Sequence, residues 1–141
     1  MKPKSILALI AFTCAMNVAA HGDKDKKHNE STAESYIVSP KNGETVEKTF
    51  VVVFGLKGMG VSPAGIEKAN TGHHHLMIDR KELPDLTMPL DQTVKHFGGG
   101  QTETTLTLSP GTHTLQLILA DYKHLPHNPA VISEQITITV K

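Results

Sequence analysis

Nine histidines occur in this chain, and three are consecutive: His73, His74 and His75, within NTGHHHLMID. Imidazole is the commonest protein metal ligand, and it titrates near neutral pH without perturbation. On a β-strand, alternate side chains face alternate sides. His73 and His75 should therefore project together while His74 points with Leu76 and Ile78. Two imidazoles at i and i+2 can chelate one ion, and the middle ring can be packed or hydrogen-bonded behind them. The competing reading is a strand edge whose histidines satisfy backbone groups.

Two further segments carry histidines. DYKHLPHNP holds His124 and His127 at a zinc-like spacing, although Pro126 and Pro129 forbid the helix that would align such a pair. The prolines stiffen the loop, which suits a fixed site, and Asp121 is placed to ligate or to orient a ring. KHFGGGQTE holds His96 beside three glycines, whose N–H groups can cradle an anion or carboxylate. It is not a nucleotide signature, because no Lys-Ser/Thr follows and no helix opens. Gln101 and Glu103 would flank His96. His113 is expected to tie back to the backbone at a corner of the fold.

These histidines need a scaffold. Residues 1–20 (MKPKSILALIAFTCAMNVAA) have a basic start, an apolar stretch and small residues at the end, the pattern of a secretory signal peptide. Cleavage is expected after Ala20. That would remove Cys14, leaving no disulfide, and it would make His21 an N-terminal residue able to bracket copper with its own amine. The polar leader 21–34 lacks any large apolar residue and is expected to be disordered. Without Lys2 and Lys4, the 14 acidic residues slightly outnumber the basic ones, which argues against nucleic acid as a partner. No segment is long and apolar enough for a membrane span. The expected setting is periplasmic or secreted.

Residues 35–141 read as a single all-β domain. Strands are expected over 36–38, 45–56, 74–79, 102–108, 112–120 and 132–140, from β-branched runs and alternation such as Leu115/Leu117/Leu119 and Ile136/Ile138/Val140. SPKNG and SPGT supply tight turns. Short strands between Gly/Pro turns point to an immunoglobulin-like antiparallel β-sandwich. In that topology the long segments 57–73, 95–101 and 121–131 fall at one end. They bring His73, His75, His96, His124 and His127 together, provided that residues 80–95 cross back, with 86–90 as a short edge segment. His113 falls at the other end.

NTGHHHLMID, HFGGGQTET, PGTHTLQL and DYKHLPHNPAVISEQITITV together resemble a family of secreted bacterial domains of unknown function, over about residues 36–140. The resemblance implies a small periplasmic β domain carrying the triple-His strand, the Gly-rich loop and the His-Pro-His loop. Here those are His73–His75, His96–Glu103 and His124–His127. Pro129-Ala130 stands where two consecutive prolines are expected.

The leading expectation is a domain that binds a divalent transition metal, zinc or copper, through three or four of the five gathered histidines. Met59 and Met77 are near enough in sequence to serve copper(I), and another periplasmic protein would be a natural partner. An enzyme is the less favoured reading: metal-assisted hydrolysis with Glu103 as general base. A metal-free adhesion or scaffold domain is the third.

Overall fold

The computed structural model describes residues 32–141. Residues 1–31, which include the expected signal peptide, Cys14, His21, His28 and most of the expected leader, lie outside the described residues. Nine strands follow in chain order: β1 (Glu34–Ser39), β2 (Thr45–Val46), β3 (Thr49–Lys57), β4 (Gly60–Val61), β5 (Thr71–Ile78), β6 (Lys95–His96), β7 (Glu103–Thr107), β8 (Gly111–Ala120) and β9 (Ile136–Val140). There is no helix among the described residues.

The strands form two sheets. One is β1-β3-β7, and the other runs β2-β9-β8-β5-β4, with β6 also paired to β5. This is the all-β, immunoglobulin-like sandwich expected from the turn and strand pattern. Two short pairings, β2 with β9 and β4 with β5, are parallel, and the others are antiparallel.

The strand expected over 74–79 runs instead over Thr71–Ile78, the one expected over 132–140 covers only Ile136–Val140, and three larger departures stand out. The first strand begins at Glu34, inside the expected leader, because Glu34 and Ser35 pair with Lys57 and Leu56 of β3. The expected strand over 45–56 is broken at Glu47-Lys48. Its first two residues join β9 in one sheet and the rest joins β1 and β7 in the other. Residues 80–94 do cross back, but as irregular chain without a strand over 86–90. Two Asx turns shape this crossing, with Asp85 accepting from the Thr87 N–H and Asp91 from the Thr93 N–H, each at 2.9 Å.

Strand parity divides the apolar residues into two layers. Val52, Phe54 and Leu106 from one sheet meet Leu76, Leu115, Leu117, Ile138 and Val140 from the other, and Phe97 closes this core. The opposite face of β5 and β8 carries Met77, Ile118 and Ala120, and the crossing segment lays Leu90 and Val94 over them. Each such side chain taken from water contributes about 1.5–3 kcal/mol. That second, smaller cluster pins residues 80–94 to the outer face and so delivers His96 beside β5.

Candidate metal centre

His73, His74 and His75 all lie within β5 and are 0%, 0% and 1% exposed. Their register partners on β8 are Ala120, Leu119 and Ile118. Parity then separates them as the sequence implied. His74 shares the inner face with Leu119 and packs its ring 5.2 Å from that of Phe54. His73 and His75 share the outer face with Ala120 and Ile118. The site therefore lies on the outer face of the six-stranded sheet, near its loop-rich end, rather than over the open end of the sandwich.

β6 brings the third ring. His96 pairs directly with His75 across β5 and β6, so their side chains share a face, and the Phe97 N–H extends the pairing to the His74 carbonyl at 3.1 Å. The ring of His96 then lies over Gly98, where an added Cβ would sit 2.5 Å from its Nε2. It is close approach of the ring, not backbone angle, that leaves no room for a Cβ there unless the His96 side chain moves. Two of the N–H groups considered as an anion cradle are instead taken up within the loop. The Gly99 N–H donates to Gln101 Oε1 at 2.9 Å, and the Gly100 N–H donates to the Phe97 carbonyl at 3.1 Å.

The fourth ring depends on a turn. His124 has φ +67°, the left-handed region that non-glycine residues adopt at a cost. Asp121 sets it up: its Oδ1 accepts from the Lys123 and Leu125 N–H groups at 2.8 and 3.0 Å. That carboxylate oxygen braces the loop instead of serving as the ligand considered from sequence. The His124 carbonyl in turn accepts from the Leu90 N–H at 2.8 Å, tying this loop to the crossing segment.

One ring nitrogen from each of His73, His75, His96 and His124 lies within 4.8 Å of the others, close enough to hold a single metal ion. The six distances between the four ring centres span only 4.7 to 5.8 Å. Both ring nitrogens of His73 and of His75 are buried without a hydrogen-bond partner. Burial holds the His73 pKa down at about 4, with His124 and His96 adding to the effect. Burial also lowers His75 to about 3, reinforced by His73, His96 and His124. His96 is lowered too, by desolvation first and then by His124. Neutral imidazoles with free lone pairs are the form that binds metal.

His73 is fully buried and does not line the cleft. His75, His96 and His124 line a cleft of about 200 Å³, completed by Leu90, Asp91 and Gln92. The three cleft residues from the crossing segment were not singled out from sequence. The Asp91-Thr93 turn motif was the available signal for a built loop there.

His127 is not brought into this group. Its Nε2 is buried without a partner on the far side of Gly72, 2.8 Å from where a Cβ on Gly72 would stand. It lines a separate groove with Asn70 and Met59, which keeps that methionine away from the four rings as well. Met77 is packed in the outer apolar cluster. Glu103 pairs with Val53 in the opposite sheet, its neighbours in β7 alternating inward at Leu106, so it faces the other side of the sandwich. His113 lies at the opposite end of β8, its Nε2 2.8 Å from the Ser109 carbonyl and its Nδ1 2.7 Å from Asp79.

A family model described as a domain of unknown function (DUF4399) matches residues 52–141, a stretch that includes all four clustered histidines. The chain belongs to that family. A comparison with curated proteins finds no match. Among solved structures, the X-ray structure of the endo-beta-1,4-mannanase from Thermotoga petrophila is similar at 16% identity and a TM-score of 0.46. That similarity covers 84% of this chain and 21% of the mannanase chain, so this chain spans about a fifth of that protein's length.

Proposed function

We propose that this DUF4399 member is a periplasmic or secreted domain that holds a divalent transition metal, zinc or copper, through His73, His75, His96 and His124. The observation that carries the reading is four converging imidazoles, two of them buried with every ring nitrogen unpartnered. An unpaired buried polar group costs about 1–3 kcal/mol. A metal ion would turn that cost into bonds. Three elements distant in sequence supply the set, so ion binding would also clamp β5, β6 and the 121–127 loop together.

The cleft beside His75, His96 and His124 favours a site that exchanges its ion with solvent or a partner over one sealed in the core. Metal storage or delivery fits that exposure. Hydrolysis fits less well, because no suitable base stands by among the described residues. Glu103 is on the other sheet, and the Asp91 carboxyl is held below the usual carboxylate range by its hydrogen bonds from Thr93.

The test is metal content. Protein prepared from periplasm and dialysed without chelator should retain near-stoichiometric zinc or copper and melt at a lower temperature once stripped. Metal far below stoichiometric, with melting indifferent to added zinc or copper, would reject the proposal and leave a metal-free scaffold domain.

A further inference from the structure

We infer that the ion is zinc(II), held in a four-imidazole tetrahedron, an inference that rests on the metal-binding reading above. Its basis is the arrangement of the four rings. A tetrahedral ion with Zn–N of about 2.0–2.1 Å, plus roughly 1.1 Å from nitrogen to ring centre, sets all six ring-centre distances near 5.2 Å. A square-planar ion would give four distances near 4.5 Å and two diagonals near 6.4 Å. The observed values are 4.7, 4.7, 5.0, 5.0, 5.1 and 5.8 Å.

The pairing of these distances decides against a plane. The longest is His75 to His124 at 5.8 Å, and a planar site would need the complementary pair, His73 to His96, to be long as well. That pair is 5.0 Å apart, within the 4.7–5.1 Å range of the four edges. Nor can the set flatten easily. His73 and His75 are fixed on β5, which is hydrogen-bonded to β8 on one side and to β4 and β6 on the other. The ladder fixes their Cα positions, and burial at 0% and 1% exposure leaves the two rings little room to turn into a plane with His96 and His124.

Geometry of this kind disfavours copper(II), which prefers tetragonal coordination and otherwise wins on intrinsic affinity. Copper(I) accepts a tetrahedron but favours soft sulfur ligands, and the donor set is four nitrogens. Met77 is occupied in the apolar cluster and Met59 lines another groove. Zinc(II), which takes imidazole readily and has no competing geometric preference, is the ion that fits.

Cobalt(II) reports the same coordination by its colour. The chelator-stripped protein is titrated with Co²⁺ and then Zn²⁺, with absorption spectroscopy reading geometry and calorimetry counting bound ions. The expected result is an intense blue four-coordinate spectrum, lost on adding one equivalent of zinc. H96A removes the exposed ligand with little loss of packing and should shift and weaken the intense band, because water replaces one imidazole, while staying folded by circular dichroism. Bound cobalt with a pale six-coordinate spectrum, an unchanged spectrum in H96A, or stoichiometric copper in protein from its native compartment would overturn the zinc tetrahedron and leave metal binding standing. No binding of cobalt, zinc or copper by calorimetry would overturn both.

Discussion

The Nε2 atoms of His96 and His124 lie 3.1 Å apart although 28 residues separate them in the chain. Without an ion, one ring must donate and the other accept across that gap. Both are held there by backbone: His96 by pairing with His75, and His124 by a left-handed turn that Asp121 braces. Two rings fixed nitrogen to nitrogen, with two more unpartnered rings behind them, form a preorganised cluster. Little ordering then remains to oppose ligand binding.

The ligand assignment predicts a selective loss. Changing His73→Ala and His75→Ala together should abolish stoichiometric metal binding, read by calorimetry and by metal content after gel filtration. His113→Ala should leave binding intact, because its ring is engaged with Asp79 and Ser109 at the opposite end of β8. His127→Ala should also bind normally. Loss of metal in the His127 variant would mean that the loop rearranges to bring a fifth ring into the site.

Acid should destabilise the metal-free protein in a defined window. The folded-state pKa of His73 is lowered from 6.5 to about 4 and that of His75 to about 3. Below 6.5 the unfolded chain takes up protons at these residues while the folded chain does not, so stability falls as pH drops toward 4 and then 3. Thermal melts in chelator should show this decline between neutral pH and about pH 4.5. Saturating metal should raise the melting temperature at neutral pH and lose that advantage on acidification. A flat profile for the stripped protein would contradict the burial of these rings.

His74 offers the opposite kind of test. Its ring is fully buried against Phe54, and neither nitrogen has a partner. Strand parity turns it away from the metal cluster. His74→Leu should therefore preserve metal affinity and raise stability by about 1 kcal/mol, since it replaces an unsatisfied buried polar ring with an apolar side chain of similar bulk. Urea denaturation of the stripped protein measures the second effect. A variant that loses metal binding would show that the middle histidine matters to the site after all.

Much of this was legible from local pattern alone. Alternation separates His74 from His73 and His75, and turn chemistry around Pro40 and Pro110 places the sandwich ends. The outer-face position of the site was harder to read. It depends on residues 80–94, a stretch that forms neither strand nor helix and whose Leu90 and Val94 find their places only against Met77 and Ile118. His127 misled for a related reason. Its distance from His124 in sequence is short, but the turn held by Asp121 sends the two rings to different sides of the β5 start. Such a turn is set by backbone angles, and φ at His124 has no marker in composition.

Gly98→Ala should act as a remote ligand defect. The added Cβ would fall 2.2 Å from His96 Cε1 and 3.3 Å from the Ala64 Cβ, so the imidazole must swing away from its position. Displacing a group that orients a ligand typically costs about 10–100-fold in metal affinity. The expected result is weaker zinc binding by competition with a chelating dye, with the strand content unchanged by circular dichroism. Gly43→Ala is a useful control, because nothing lies within 4 Å of its Cβ position, although its φ of +81° will cost some stability. Unaltered affinity in Gly98→Ala would show that His96 has room to bind from another rotamer.

The His113–Asp79 pair should impose a pH dependence opposite in sign to that of the cluster. The Ser109 carbonyl can only accept, so His113 Nε2 donates to it, and Nδ1 donates to the Asp79 carboxylate when the ring is charged. The side-chain bond to Asp79, then that to Ser109, raises the His113 pKa above 6.5. Stability from this ring is fully present below 6.5 and is lost as pH rises through the raised value. Asp79 is half exposed and also accepts from the Thr114 N–H at 2.9 Å, anchoring the end of β5 to β8. Removing the imidazole by His113→Ala should thus cost on the order of 1 kcal/mol after discounting for solvent, more at pH 6 than at pH 8. Denaturant midpoints at those two pH values decide it. A larger penalty at the alkaline side would mean that the ring works as a neutral brace. In that case the proton on Nδ1 or Nε2, and not the charge, would hold this corner of the sandwich.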